Sequence, residues 1–301
     1  MHYDAALPMA PSFLTGQELS DEQLASLLER AAALKAGRPE LGSESLDGHS
    51  VALVFEMPST RTRISFEVGV AELGGTPIVL RGDEMQLSRG ESIRDTALVL
   101  SRFVSAIAIR SGSHENVAEL AKWADVPVIN ALTPLHHPCQ AIADLLTLKE
   151  RFRELEGLRV AFVGDGNNVA RSLALLGAAA GVEVVVSSPE GYTLDDTPEA
   201  TLVADPREAV AGADAIYTDV WVSLGEDEAT AGPKREALAP WQLDEELLAA
   251  AADRAVVMHC LPAHVGEEIT EGALYGDRSA VWDQAENRLH AQKALLELLL
   301  S

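Results

Sequence analysis

Short apolar runs of strand length recur along this chain, and stretches of helical spacing separate them. No other feature narrows the possible folds so far. The first series of runs is Val51–Phe55, Pro77–Leu80, Ala106–Ile109 and Pro127–Ile129. Within it, Ile93, Ala97, Leu100 and Val104 fall on one helical face. The second series is Val160–Val163, Val182–Val186, Ala215–Thr218 and Ala255–Met258. Its helical stretches lie near Val169–Ala180, Arg207–Ala211 and Asp244–Ala251. Alternating strands and helices imply parallel sheets covered on both faces. Two series of similar size predict an α/β chain with two doubly wound parallel-sheet domains, joined by the helix that opens at Pro138. Ahead of them, Ser20-Asp-Glu-Gln23 has the form of a capping box, followed by a face of Leu24, Leu27, Leu28 and Ala31. A long amphipathic helix, Gln284–Leu299, follows the second series. Gly191–Thr201 and Gly225–Pro240 read as loops, the second long and charged enough to act as a lid.

The length of 301 residues suits one large or two medium domains at ~100–200 residues each. With 47% hydrophobic residues the chain can build a core. No apolar run approaches the ~18 residues that span a bilayer, and MHYDAALPMAPSF lacks the marks of a secretory signal. Cys139 and Cys260 lie far apart and form no disulfide framework, which makes the cytosol the default compartment. The 47 acidic residues outnumber 23 basic ones, for a net charge of −24. Such an excess argues against nucleic acid or an anionic membrane as the main partner. It is spread along the chain, and only five of the basic residues are lysine. Two readings fit: a halophilic surface, on which hydrated carboxylates keep a protein soluble in salt, or an ordinary acidic protein.

Ser59-Thr-Arg-Thr-Arg63 falls where the first strand turns into a helix that ends at Gly74-Gly75. Free N–H groups, the positive end of the helix dipole, hydroxyls and an arginine together suit a phosphate. A plain Ser/Thr cap with surface-paired arginines is the alternative. Arg110 ends the third run, at the edge of a parallel sheet where ligands bind, and could complement that anion site or form a salt bridge. His137-Pro-Cys-Gln140 opens the joining helix. The histidine can donate to a carbonyl oxygen on which charge builds, and the glutamine can accept from an amide NH₂ and can also donate. His136, His137 and Cys139 are too close in sequence to close a tetrahedral metal site alone.

Gly164-Asp-Gly166-Asn-Asn168 follows the first strand of the second series, but Val169 stands at the third glycine position of a dinucleotide fingerprint. Asn168 could instead hold a ligand carboxylate. Asp219 and Cys260 each close a strand of this series. An aspartate there can pair a ligand cation or cap a turn. His259 points to the opposite face from Cys260, so the thiol suits an amine better than it suits nucleophilic attack.

Ser59-Thr-Arg-Thr-Arg63, Arg110, His137-Pro-Cys-Gln140, Gly164-Asp-Gly-Asn-Asn168, Asp219-Val-Trp-Val-Ser223, His259-Cys-Leu-Pro262 and Glu286-Asn-Arg288 occur in the order of one family. Across about residues 15 to 298 the chain resembles the ornithine carbamoyltransferases of the aspartate/ornithine carbamoyltransferase superfamily. That resemblance implies transfer of the carbamoyl group of carbamoyl phosphate to L-ornithine, giving L-citrulline and phosphate, in the cleft between the two domains. It implies residues 1–132 for carbamoyl phosphate and 133–283 for ornithine, with a linker helix at about 138–152 and a C-terminal helix, 284–301, returning to the first domain. Ser59, Thr60, Arg61 and Thr62 would hold the phosphate. Arg110, His137 and Gln140, with Pro138 and Cys139 of the same motif, would hold the phosphate and carbamoyl groups. Gln86 would reach a neighbouring subunit's site. Asn168, Asp219, Ser223 and Leu224 would hold ornithine, and Cys260, Leu261 and Arg288 would complete the cleft. Of these, Arg61, Arg110, His137 and Cys260 carry the chemistry. The family uses no metal or organic cofactor and forms trimers or multiples of trimers.

Leu224, Val265 and Arg171 depart from the family's usual Met, Arg, and Asn or His. Leu for Met nearly conserves volume, so the departure leaves the reaction class intact. A nicotinamide-dependent oxidoreductase would leave Ser59–Arg63 and His137–Gln140 unused. An aspartate acceptor would want a cationic lid in place of Asp219 and Cys260. Putrescine or an N-acylated ornithine stays open as acceptor.

Overall fold

The computed structural model describes residues 11–38, 44–85, 90–223, 226 and 228–300. Its elements run α1 (Asp21–Ala36), β1 (Ser50–Phe55), α2 (Thr60–Glu72), β2 (Thr76–Arg81), α3 (Ile93–Leu100), β3 (Ala106–Arg110), α4 (His114–Trp123), β4 (Val128–Leu132) and α5 (Pro138–Phe152). They continue with β5 (Arg159–Val163), α6 (Asn168–Ala179), β6 (Glu183–Ser187), β7 (Ala200–Val203), α7 (Pro206–Val210), β8 (Ala215–Thr218), α8 (Glu228–Leu238), α9 (Glu245–Ala249), β9 (Val256–His259), α10 (Glu271–Tyr275) and α11 (Val281–Leu300). The chain divides into two compact units, Met1–Cys139 with Arg288–Ser301, and Gln140–Asn287. Among the described residues, no helix is long and apolar enough to cross a membrane.

The first unit carries a four-stranded sheet in the order β2-β1-β3-β4, parallel throughout. From β1 the chain steps outward to β2, then returns past β1 to β3. The strand order therefore reverses between β1 and β3, and in open α/β sheets the ligand crevice lies outside the carboxyl ends at such a reversal. Phe55 and Arg110 are register partners there. Ala52, Val54, Ile107, Ile109, Val117, Leu120 and Val128 bury one face of this sheet against α3 and α4.

The second unit carries a five-stranded parallel sheet, β7-β6-β5-β8-β9. Its reversal falls between β5 and β8. Gly164–Asn168 and Asp219 emerge from those two strands on the carboxyl side. Ala161, Val163, Ile216, Leu243, Val257 and Ile269 belong to its core.

The capping box forms: the Ser20 hydroxyl accepts from Gln23 N at 3.2 Å, and Gln23 Oε1 accepts from Ser20 N at 2.9 Å. Three expectations need correction. Gly191–Thr201 is not all loop, since β7 begins at Ala200. This strand, Ala-Thr-Leu-Val, is a sheet edge on which no residue is fully buried and Leu202 is half exposed. Gly225–Pro240 is largely α8, despite Gly232 and Pro233. Proline forfeits one intrahelical bond, but Ala231 and Leu238 are fully buried and hold the helix in place. The closing helix starts at Val281, a turn earlier than its apolar pattern suggests.

Candidate active site

In the first unit, Ser59 is the N-cap of α2, with extended backbone and no side-chain cap bond. Its hydroxyl lies 3.5 Å from Arg110 Nη1, across the β1/β3 reversal. Thr60 and Arg61 are the first residues of α2, so their backbone N–H groups have no intrahelical acceptor. Thr62 is fully buried, and its hydroxyl accepts from Arg288 Nη2 at 2.6 Å. Arg63, by contrast, pairs with Glu67 on the exposed side of the helix. A tetrahedral anion at this helix start would meet backbone donors, hydroxyls and guanidinium groups at once.

His137, just before α5, is buried. Burial first, then the positive charges of Arg288 and Arg110, hold its pKa well below the ordinary imidazole value. The ring is therefore neutral at pH 7 yet still carries one N–H to donate. His136 packs instead, its ring centroid 5.0 Å from that of His114. Pro138 is the first residue of α5. The Cys139 thiol donates to Asn130 O at 3.4 Å, and burial pushes its pKa up to about 12. That side chain is core, which leaves its backbone to meet a ligand.

The second unit gathers a different chemistry. Cys260 Sγ donates to Asp219 Oδ1 at 2.9 Å. The other carboxylate oxygen, Asp219 Oδ2, accepts from Asn167 Nδ2 at 2.8 Å. Asn167 is also the N-cap of α6, its Oδ1 accepting from the backbone N–H of Val169 and Ala170. One side chain thus ties the start of α6 to the end of β8 across the sheet's reversal. Asn168, the expected ligand residue, is the first residue of α6. Leu261 takes a left-handed backbone, φ 59°, and donates its N–H to His259 Nδ1 at 2.8 Å. The His259 ring proton therefore sits on Nε2, facing the buried Glu268 at 3.1 Å. The expectation that His259 and Cys260 face opposite ways needs correction: Cys260 lies just past the end of β9, where strand alternation no longer applies, and a His259 ring nitrogen and the Cys260 sulfur lie within 4.8 Å of each other.

Gln140 Nε2 donates to the buried Asp144 at 2.9 Å. Ser223 N is held by Glu226, which with Asp165 flanks Lys234. Burial works to lower the Lys234 pKa, but its bonds to Asp165 and Glu226 outweigh that and raise it. Gln86 and Leu224 lie outside the described residues. Of the remaining departures, Arg171 donates to Asp196 O at 3.3 Å and Val265 is half exposed.

Gly166 matches the second glycine of the dinucleotide pattern, but its surroundings give it a structural reason. A Cβ there would collide with the backbone of Thr193 and Leu194, and Gly166 N donates to Tyr192 O at 2.8 Å. The glycine makes room for the chain itself rather than for a pyrophosphate. Among the described residues, two groups bring potential metal-ligand atoms together: Asp219, His259 and Cys260, and His264, Glu267 and Glu268. In the first, Asp219 and Cys260 bond each other and Leu261 occupies His259 Nδ1. In the second, Arg235 pairs with Glu267 and His259 with Glu268.

The structure joins Thr62 to Arg288, and Asp219 to Cys260, pairs that the sequence suggests only separately. Sequence reasoning missed Asn167 and Asp144. Asn167 had a usable signal, an asparagine immediately before a helical stretch. Asp144 had none, since its partners come from α5, β8 and α11.

Comparison with known proteins places both halves. Residues 12–150 match the family model described as aspartate/ornithine carbamoyltransferase, carbamoyl-P binding domain, and residues 156–299 match its Asp/Orn binding domain. The chain is 52% identical over 309 residues to the ornithine carbamoyltransferase of Acidothermus cellulolyticus, covering 97% of each chain. It is 48% identical over 303 residues to that of Methanoculleus marisnigri, covering 97% of this chain and 98% of the other. Among solved structures, the ornithine carbamoyltransferase of Thermus thermophilus superposes with a TM-score of 0.90 at 44% identity, covering 98% of this chain and 100% of the other. That of Pyrococcus furiosus also gives 0.90 at 44% identity, covering 97% of each.

Proposed function

The chain belongs to the aspartate/ornithine carbamoyltransferase family, and from that premise we propose that it transfers the carbamoyl group of carbamoyl phosphate to the δ-amine of L-ornithine, releasing L-citrulline and phosphate. The observation that carries the choice of acceptor is Asp219, bonded to Cys260 on one oxygen and Asn167 on the other. An acid and a thiol suit an amine; a second carboxylate on the acceptor would be repelled.

The first unit is read as the carbamoyl phosphate half. Ser59, Thr60, Arg61, Thr62 and Arg110 take the phosphate, with Arg288 oriented through Thr62. Neutral His137 donates its N–H to the carbamoyl oxygen as the tetrahedral oxyanion forms. The second unit is read as the ornithine half, with Asn168, Asp219, Ser223, Cys260 and Leu261 around the acceptor. Free alkyl amines, with pKa near ~10, are charged at pH 7, so the attacking nitrogen has to lose a proton first. A desolvated setting lowers its pKa, while Asp219 and Cys260 aim its lone pair at the carbamoyl carbon. The nitrogen–carbon bond forms, the nitrogen's surplus proton passes to the leaving phosphate oxygen as the carbon–oxygen bond breaks, and Arg61 and Arg110 receive the departing hydrogen phosphate dianion. No covalent enzyme intermediate, metal or organic cofactor enters this scheme, so positioning and fixed donors supply the rate.

The same reading makes the protein a cytoplasmic homo-oligomer, a trimer or a multiple of trimers, with Gln86 reaching a neighbouring subunit. It takes the net charge of −24 as a halophilic surface. Incubating purified protein with carbamoyl phosphate and ornithine and assaying citrulline tests the activity. No citrulline alongside brisk turnover of putrescine or N-acetylornithine would overturn the acceptor. A sizing column run in dilute and concentrated salt tests assembly and salt dependence together; a stable, active oligomer at low ionic strength refutes the halophilic reading.

A further inference from the structure

The second unit buries a carboxylate that none of the roles above uses. Asp144, on α5, is fully buried. Its Oδ1 accepts from Gln140 Nε2 at 2.9 Å, from Gln284 Nε2 at 2.7 Å and from Tyr217 Oη at 3.3 Å. Three donors from three elements converge on one oxygen. Each amide thereby has its orientation chosen for it. A side-chain amide turned the other way would set its own oxygen against Oδ1, and two acceptors with no proton between them repel. Gln284 shows the consequence: with Nε2 on Asp144, its Oε1 is free to accept the backbone N–H of His259 at 2.8 Å, next to Cys260. Gln140 shows it at the other amide. Its Oε1 is buried and has no hydrogen-bond partner. A buried acceptor left empty is costly unless something fills it.

We propose that Asp144 is a positioning residue for carbamoyl transfer: it fixes the amide of Gln140 so that Oε1, and not the NH₂, is presented to the NH₂ of carbamoyl phosphate. The inference rests on the function proposed above. It assigns a donor-to-acceptor polarity that Gln140 alone, being able to face either way, does not have. Phosphate lacks the carbamoyl NH₂, so it is blind to that polarity, and the ratio of the two affinities reports it.

The test measures binding of carbamoyl phosphate and of inorganic phosphate by calorimetry to the folded wild-type chain and to Asp144→Asn. An asparagine at that position can receive either end of the Gln140 amide. The expected result is about tenfold weaker carbamoyl phosphate binding, the worth of one hydrogen bond, with phosphate affinity unchanged. In a Gln140→Ala background the same change should cost nothing further. A second variant, Gln140→Glu with Asp144→Asn, exchanges the two groups, keeps an acceptor toward the ligand and should recover the preference. Equal losses for both ligands, additive losses in the Gln140→Ala background, or no recovery in the exchanged pair would each overturn the proposal. Wild-type protein that prefers phosphate to carbamoyl phosphate would instead overturn the function on which it rests.

Discussion

Truncating Asn167 to alanine should damage stability and ornithine use by separable amounts. The side chain accepts from Val169 N at 2.9 Å and Ala170 N at 3.3 Å, which satisfies two donors at the start of α6. Losing an asparagine N-cap costs about 1 kcal/mol. The amide also donates to Asp219 at 2.8 Å, a bond to a carboxylate. Such bonds are worth about 1.5–3 kcal/mol, and the lower end applies here because the pair is only partly buried and water can replace the donor. Asn167→Ala should therefore lose roughly 2–3 kcal/mol, with a fall in Tm of about 2–4 °C per kcal/mol. Serine is also a good cap but is too short to reach Asp219, so Asn167→Ser should recover about 1 kcal/mol of that loss. Both variants leave Asp219 without the donor that aims it. The KM for ornithine should rise about tenfold in each while the KM for carbamoyl phosphate stays put. Thermal melts and citrulline assays at varied concentrations of each substrate read the two effects independently. An unchanged ornithine KM in both variants, or a serine variant as unstable as the alanine one, would refute the reasoning.

Arg61→Gly should abolish carbamoyl phosphate binding in a calorimeter, and an unchanged affinity would mean that the phosphate sits elsewhere. His137 couples the fold to pH: its folded pKa lies well below the unfolded value of 6.5, so on acidification the unfolded chain takes up the proton first. Its contribution to stability is intact above pH 6.5 and is lost as the pH falls below it; urea midpoints between pH 7 and 5 should fall less steeply in His137→Gln than in the wild type, and parallel curves would refute this. Cys139, with a thiol pKa pushed up to about 12, should resist iodoacetamide at pH 8 in the native protein while the half-buried Cys260 reacts; mass mapping that finds Cys139 labelled as fast as Cys260 would contradict its assignment to the core.

Much of this was legible from local pattern. Buried parallel strands are short apolar runs, and all eight expected runs coincide with strands to within a few residues. The strand that escaped, Ala200–Val203, is only four residues long, includes a threonine and follows a stretch rich in Gly, Pro and Asp that reads as loop. Helix α8 escaped because Gly232 and Pro233 oppose it locally, and only the tertiary burial of Ala231 and Leu238 overrides them. Among candidate site residues, those on motifs at strand ends could be proposed from sequence. Asp144 could not be, because a buried aspartate is indistinguishable in sequence from a surface one until its donors arrive from elements 73 and 140 residues away.

Order along the chain was enough to specify two α/β halves and to put candidate ligand groups at the carboxyl ends of their strands, since strand direction and helix starts are local properties. Which groups touch was settled by folding. Thr62 meets Arg288 across 226 residues, and Asn167 reaches Asp219 only because β5 and β8 become neighbours at the reversal of the sheet. Pairings of that kind depend on strand order, and strand order is a global minimum of burial and hydrogen bonding rather than a property of any one segment.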